Sequence, residues 1–558
     1  MTNKKTSVAQ KSKTRSYIFI VGGVMSGVGK GIASSSIALL LQSRGLTVTS
    51  LKIDPYINVD AGTMNPTEHG EVFVLENGLE TDQDMGNYER FLGKTIPGIN
   101  YMTTGSVYQD VIRKERNLEY GGKNVEVVPH IPEEVIRRIK KAGEAADADV
   151  ITIEVGGTVG EYQNILFLEA VRMMKTEMPE HVAVVMVSYL PVPSSIGEMK
   201  TKPTQTAARI LNSTGVFADF ILARGPVVID KKRKEKIARF CNVKVEHVIS
   251  APDVKSVYDV PVNFEKDNLS ALICAQLGIV APRPVNLTAW KNFVSRSKNG
   301  KDVVKIAVVG KYFSSGDFIL SDVYISVLEA IKYSAYALHL TPEIHYVSAS
   351  SFEDNPKSLK KLNDFDGILV PGGFGATGIP GLLSVIKYAR EKKIPYFGIC
   401  YGMQLLVIEF ARTILRYKDA HTAEIEPTSK HIVVDVMPEQ KEKIARGDMG
   451  GSMRLGEYPA VLTKGSVAAR AYNAREISER HRHRYEVNPT YIAPLTEKGL
   501  VFSGTSPDGT LMEIAELPSD LHPFFVGTQF HPEFHARPLS PHPLFTAFIK
   551  ASYEHKKG

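Results

Sequence analysis

The stretch YIFIVGGVMSGVGKGIASSSIALLLQS, residues 17–43, constrains the fold more than any other part of the chain. Its short unbroken apolar run reads as a strand buried on both faces. A glycine-rich turn follows, and then a helical pattern. Strand, glycine loop and helix in that order form the βα unit of a parallel sheet, and the turn is suited to phosphate. Successive backbone N–H groups point into it, and the helix N-terminus adds partial positive charge. Lys30 is placed to reach terminal phosphates. Five residues separate Gly23 from Gly29, one more than in the common loop, and Gly31 stands where Ser or Thr ordinarily binds magnesium. A metal here needs ligands from elsewhere.

The same texture recurs along the chain. Apolar runs at 17–22, 46–54, 149–157, 183–192 and 219–225 alternate with amphipathic segments, which predicts a parallel sheet covered on both faces. Near 281 the pattern gives way to APRPVNLTAWKNFVSRSKNGKD, rich in proline and then in polar residues, which reads as a linker. A second α/β series starts at 303–310, continues with a helix opening at Ser321-Asp322, and adds the runs 366–375 and 394–400. The expected architecture is α/β with two domains at 17–281 and 303–558, a linker at 282–302, and a polar, basic, disordered tail at 1–16. A chain of 558 residues exceeds what one hydrophobic core sustains.

Composition narrows the class of partner. The net charge of +6 is small for this length and spread out, which suits anionic small molecules and argues against nucleic acid. Three cysteines, Cys241, Cys274 and Cys400, give neither a disulfide framework nor a metal spacing, so a reducing, cytoplasmic compartment is expected. The N-terminal stretch lacks the apolar core of a signal peptide, and no segment approaches the roughly 18 apolar residues that span a membrane.

Candidate ligands for the phosphate loop's metal are carboxylates. ETDQDMGNYER (80–90) supplies Asp82 and Asp84 in a turn-like stretch. IEVGGTVGE (153–161) places Glu154 inside an apolar strand, where a lone carboxylate is unfavourable unless paired or metal-bound. In GEMKTKPTQTAARIL (197–211), Pro203 breaks the chain ahead of a helix, and Lys200, Thr201, Lys202, Thr204 and Gln205 are donors suited to a second polyanion. KKRKEK (231–236) reads by itself as a solvated or nuclear-targeting-like basic run.

Together LKIDPYINVDAGTMNPTEHGEVFV, ETDQDMGNYERF, IEVGGTVGE and KTKPTQ resemble the CTP synthase family, in one order, within a match running from about residue 17 to the C-terminus. The resemblance implies an N-terminal P-loop-like amidoligase domain that phosphorylates UTP with ATP, followed by amination. It assigns Ser26, Gly27, Val28, Gly29, Lys30, Gly31 and Asp84 to ATP, and Asp84 and Glu154 to Mg²⁺. It assigns Ser26, Lys52, Lys200, Thr201, Lys202, Pro203, Thr204, Gln205 and Lys236 to UTP, and Glu161, Tyr162 and Gln163 to the inhibitory product CTP. It places His69 beside an ammonia passage. The family also implies a homotetramer and activation by GTP. The chain departs from the family at one point: a segment usually reading Asp-Ile-Glu is here Glu161-Tyr162-Gln163. An acidic side chain is missing, and CTP feedback is the property this departure touches.

FGICYGMQLLVIEFA (397–411) sets Cys400 between Gly398 and Gly402, where a strand ends and a helix begins. This is the sulfur counterpart of the nucleophile elbow, and a helix N-terminus favours thiolate. VGTQFHPEF (526–534) offers His531 as base and Glu533 as its orienter, with strand alternation expected to place both on one face. PGGFG (371–375) offers an oxyanion hole from the N–H groups of Gly373 and Tyr401. Cysteine, distant HPE and upstream PGG resemble class I glutamine amidotransferases, so the second domain is expected to be an α/β glutaminase. By position Gly373, Tyr401, Gly402, Met403, Gln404, Glu424 and Arg484 then hold L-glutamine. ERHRHRYEVN (479–488) reads as a basic turn whose Arg484 meets the glutamine carboxylate. The rivals are an amidoligase with another acceptor and a nucleotide-switched assembly protein.

Overall fold

The computed structural model describes residues 13–195, 197–311, 314–315, 318–319, 321–354, 356–437 and 453–557. Of the expected tail, residues 1–12 lie outside that set, and Ser16 already belongs to the first strand. The chain forms two compact units. The first takes the chain up to Val59 and then Ile99–Leu287; the second takes Asp60–Gly98 and everything from Thr288.

The first unit is a seven-stranded sheet. Its strands are β1 (Ser16–Gly23), β2 (Val48–Asp54), β3 (Tyr101–Thr103), β4 (Val150–Thr158), β5 (Val182–Tyr189), β6 (Phe220–Gly225) and β7 (Val248–Pro252). They lie in the order β3-β2-β4-β1-β5-β6-β7, and every pairing is parallel. β1 and β2 are buried along their whole length, as expected of strands with a layer on each face. The edge strands β3 and β7 are short and lack a long apolar run, so no local pattern marks them. The order reverses about β1, which puts the glycine loop at a topological switch point, where open α/β sheets bind ligands.

The second unit holds a nine-stranded mixed sheet. Its strands are β8 (Asp302–Gly310), β9 (Leu340–Ser348), β10 (Gly367–Val370), β11 (Tyr396–Ile399), β12 (Arg454–Leu462), β13 (Glu476–His483), β14 (Val501–Thr505), β15 (Met512–Glu516) and β16 (Phe525–Thr528), in the order β9-β8-β10-β11-β16-β15-β14-β12-β13. The first five of these in space run parallel, and the rest join antiparallel. Within the expected linker, Thr288–Lys298 forms a helix whose Trp290, Phe293 and Val294 are buried. Their i, i+3, i+4 spacing is helical, but prolines before it and Lys/Asn/Gly after it hide the pattern. Segment 60–98 contributes a hairpin, Val72–Val74 with Glu80–Asp82, and the helix Asp84–Leu92.

Candidate active site

In the second unit three neighbouring parallel strands, β10, β11 and β16, end on the same side of the sheet. The loops after them carry Gly372-Gly373, Cys400 and His531. This shared edge is why residues 372, 400 and 531 converge.

Cys400 sits at the head of the helix Tyr401–Thr413 with φ 50° and ψ −98°, a region that side chains rarely adopt. Flanking glycines make the turn possible. A Cβ on Gly398 would lie 2.7 Å from the Gly402 backbone, and one on Gly402 would collide with the Val370 carbonyl. The Cys400 N–H donates to the Thr528 carbonyl at 2.6 Å, tying the strained residue to the sheet. The Gln529 amide nitrogen is 3.7 Å from Sγ.

His531 precedes the turn Pro532–His535, and its Nδ1 lies 2.7 Å from Glu533 Oε1. Strand alternation does not align the pair. The strand ends at Thr528 instead, and the turn folds the Glu533 carboxylate back onto the ring. Burial opposes protonation of His531, but the charges of Glu533 and Cys400 outweigh it and raise its pKa to about 10.

A cavity of about 290 Å³ opens beside these groups, lined by Cys400, His531 and Glu533. Of the residues expected to hold glutamine, Gly373, Gln404, Glu424 and Arg484 line it as well. Tyr401, Gly402 and Met403 do not; they form the first turn of the helix behind the cysteine. Gln404 donates to the Tyr485 carbonyl at 3.0 Å, and Glu424 accepts the Gly375 N–H at 2.7 Å. Burial raises the Glu424 pKa. A Cβ on Gly372 would come within 2.9 Å of His531 Cε1, so the ring's approach requires glycine there.

The ERHRHR run is not a basic turn. It forms the end of β13, with Arg480, His481 and His483 buried. His481 Nδ1 is 2.9 Å from His483 Nε2, and burial, reinforced by neighbouring positive charge, holds both pKa values well below the usual histidine range. Among the described residues no group of three or more His, Cys, Asp or Glu could hold a metal ion.

Two charged residues that the sequence reading passed over also meet here. Glu71, buried, lines the cavity and accepts the Ser326 N–H at 3.1 Å; burial raises its pKa to about 7. Lys311 lies over the Tyr401 ring at 4.2 Å and donates to the Gly375 carbonyl, and burial lowers its pKa to about 8. Each earns its role from partners distant in sequence, so no local motif marks it.

In the first unit the glycine loop follows β1 and ends at Gly29, whose φ of 86° suits glycine. Lys30 Nζ donates to the Gly157 carbonyl at 2.8 Å, at the end of the neighbouring strand β4. Ser26 and Gly27 are exposed, Val28 is buried with its carbonyl accepting from Arg224 at 3.0 Å, and Gly31 lies inside the helix Lys30–Ser43. Glu154 is buried and has the basic partner that an apolar strand demands: Lys52 Nζ at 3.0 Å, with Asp54 3.6 Å from the same nitrogen. Asp84, in the second unit, starts the helix Asp84–Leu92, its N–H donating to Asp82 Oδ1 at 2.9 Å.

The first unit holds further cavities. One of about 290 Å³ beside Gly29 is lined by Ile32, Arg224, Asp253, Val254 and Val257, a mix of apolar wall and polar edge fit for a nucleobase. The sequence reading missed it; the charge ending the DFILARG strand was its only trace. One of about 530 Å³ brings Glu161, Tyr162 and Gln163 together with Pro55, Tyr108 and Phe167. Gln163 donates to Glu161 at 2.6 Å. One of about 430 Å³ includes Lys202 and Pro203 with Thr158. Pro203 lies in the first turn of the helix Lys202–Ser213. Thr201 accepts from Gln205 at 3.0 Å, Thr204 is buried 2.8 Å from Ser188 Oγ, Lys200 pairs with Glu198 at 2.8 Å, and Lys236 is exposed.

Comparison with known proteins places both halves. The family model described as CTP synthase N-terminus matches residues 16–279, and that of the glutamine amidotransferase class-I family matches residues 319–551. A CTP synthase of Halalkalibacterium halodurans is 46% identical over 97% of this chain and 99% of its own length. One from Thermococcus kodakarensis is 47% identical over 97% and 99%, and one from Methanopyrus kandleri 47% over 96% and 98%. The chain belongs to the CTP synthase family. Its two-unit α/β fold is the one expected for a CTP synthase. Segment 60–98 lies within the match to the CTP synthase N-terminus, yet packs into the second unit. Among the described residues of this CTP synthase family member, no helix is long and apolar enough to cross a membrane.

Proposed function

We infer that the chain carries out the reaction of its family, the ATP-dependent amination of UTP to CTP with nitrogen released from glutamine. The observation that carries this reading is the meeting of the strained Cys400 elbow and the His531–Glu533 pair in one cavity, in a chain that matches CTP synthases over 97% of its length.

In the glutaminase half, Cys400 Sγ attacks the side-chain amide carbon of glutamine. The N–H groups of Gly373 and Tyr401 meet the negative charge that develops on the amide oxygen. His531 gives a proton to the departing ammonia. The raised pKa keeps the ring protonated at neutral pH. Having given up that proton, the neutral ring draws one from the water that clears the thioester. Arg484 pairs with the glutamine carboxylate and Glu424 with its ammonium group.

In the amidoligase half, the loop amides and Lys30 hold the ATP phosphates, Lys30 leaving the Gly157 carbonyl to do so. The cavity at Ile32, Arg224 and Val254 takes the base. Lys52, Ser26, the 200–205 segment and Lys236 face UTP. The γ-phosphoryl group goes to uracil O4, which turns a poor leaving group into a good one; ammonia attacks C4 and phosphate leaves. Glu154 offers a hard oxygen donor of the kind Mg²⁺ takes beside phosphates, and such an ion would offset phosphate charge. We extend the reading to a cytoplasmic homotetramer activated by GTP and inhibited by CTP, with Gln163 in the place of an acid.

The test is Cys400→Ala, followed by ultraviolet absorbance with UTP, ATP and Mg²⁺. Glutamine-supported CTP formation is expected to fall by about 10³-fold or more, while ammonium-supported formation stays within about twofold. CTP formed from glutamine by the variant would refute the nucleophile. No CTP from UTP and ammonium would refute the acceptor.

A further inference from the structure

Glu89 lies in the middle of the helix Asp84–Leu92, in the second unit, with none of its surface exposed. Its carboxylate holds two arginines. Arg480 Nη1 is 3.0 Å from Oε2 and donates through Nη2 to Oε1 at 3.1 Å. Arg537 donates through Nη2 to the same Oε2. The Ile96 N–H adds a bond to Oε1 at 3.0 Å. Burial pulls the Arg537 pKa down to about 10, and Glu89 opposes that fall.

The two arginines bracket the turn that carries the catalytic histidine. The Arg480 carbonyl accepts the His531 N–H at 2.8 Å. Arg537 Nη1 donates to the Phe534 carbonyl at 2.6 Å. The Phe534 ring stacks on the His531 ring at 5.2 Å and 14°, and Phe73 from the 60–98 segment closes on Phe534 edge-on at 5.0 Å. Cys400 is fixed by the sheet and the helix after it. His531 lies past the end of β16, in a turn with no ladder of its own, so its placement depends on what grips the turn at either end.

We propose that Glu89 is a positioning residue for glutamine hydrolysis: by clamping Arg480 and Arg537 it holds His531 in register with Cys400. The proposal rests on the roles given above to Cys400 and His531. A shift of about 1 Å in a reacting group costs on the order of 10²-fold in rate. Removing the charge leaves two buried guanidinium groups without the carboxylate that compensates them, and they can relax only by moving the segments they belong to.

The test uses the full chain carrying Glu89→Gln or Glu89→Asp. For E89Q the glutaminase kcat is expected to fall about 10- to 100-fold, with the KM for glutamine within about threefold and ammonium-supported CTP formation within about twofold. The alkaline limb of its kcat/KM profile for glutamine moves to lower pH as His531 loosens from Glu533, and E89D recovers part of the rate. A merely structural salt bridge would lower the melting temperature and leave kcat and the pH profile in place. That result, or an equal fall in the ammonium-supported rate, overturns the proposal. If E89Q does not fold, Arg537→Lys replaces it, because lysine keeps the charge but cannot serve both Glu89 and the Phe534 carbonyl. The same split is then expected, and an unchanged kcat in folded R537K refutes the clamp. If Cys400→Ala leaves glutamine hydrolysis intact, the failure belongs to the assignment of the nucleophile and not to Glu89.

Discussion

His531 is protonated against the pull of burial, because two acidic neighbours outweigh it. Glu533→Gln removes the larger of the two. The His531 pKa should then drop from about 10, and the alkaline limb of the glutaminase profile should move down by roughly one to two pH units. The sign for stability follows. A histidine whose folded pKa exceeds its unfolded value stabilises the fold fully below about pH 6.5, and that contribution is lost as pH rises toward 10. E533Q should flatten this decline, which denaturant titrations at pH 6 and pH 9 would measure. Cys400, His531 and Glu533 were legible in the sequence because glycine spacing and a short HPE motif carry them. Glu71 and Glu89 were not. Glu89 meets Arg480 across 391 positions of sequence, and a carboxylate in YERF looks like any solvated helix residue until its partner is known.

At the level of elements, the long parallel strands were legible because strands buried on both faces must be apolar throughout. The antiparallel part of the second sheet was not. β13 carries Glu476, Glu479, Arg480, His481, Arg482 and His483, and charge of that density reads as solvent-facing. Its second half is largely buried because carboxylates from other elements meet it: Glu89 on Arg480, Glu80 on Arg482 at 2.7 Å, and Glu513 near His481 at 3.7 Å. The elbow between β11 and the helix after it makes its own prediction. Gly402→Ala puts a methyl group against the Val370 carbonyl, so the turn must open or the sheet edge must shift. The expected cost is about 2 kcal/mol of stability, with glutaminase activity lost and ammonium-supported synthesis retained. Thermal melts and the two nitrogen-source assays would show whether the losses separate in this way.

For the whole molecule, the two chemistries should fail independently. Glu154→Ala removes a carboxylate from β4 and leaves Lys52 buried beside Asp54. CTP formation should disappear with either nitrogen source, a loss of about 10³-fold, whereas the rate of Cys400 alkylation by a glutamine-analogue electrophile should stay within about twofold. Parallel loss of both would show that the variant has unfolded or that Glu154 serves the second unit too. The domain scheme read from composition rests on a linker near 281–302; in space, the second unit also recruits 60–98.

That recruitment has a consequence for how such a gene can be divided. The chain passes between its two units after Val59, after Gly98 and after Leu287, so no single cut yields two polypeptides that each contain one whole unit. A gene broken at the apparent linker would encode a C-terminal product without Glu80 and Glu89, leaving the guanidinium groups of Arg482, Arg480 and Arg537 without those carboxylates. Gene fission at that seam would therefore separate the cysteine and histidine from part of their own scaffold. Mutations that remove the stranded positive charges would be the first ones favoured in the orphaned half.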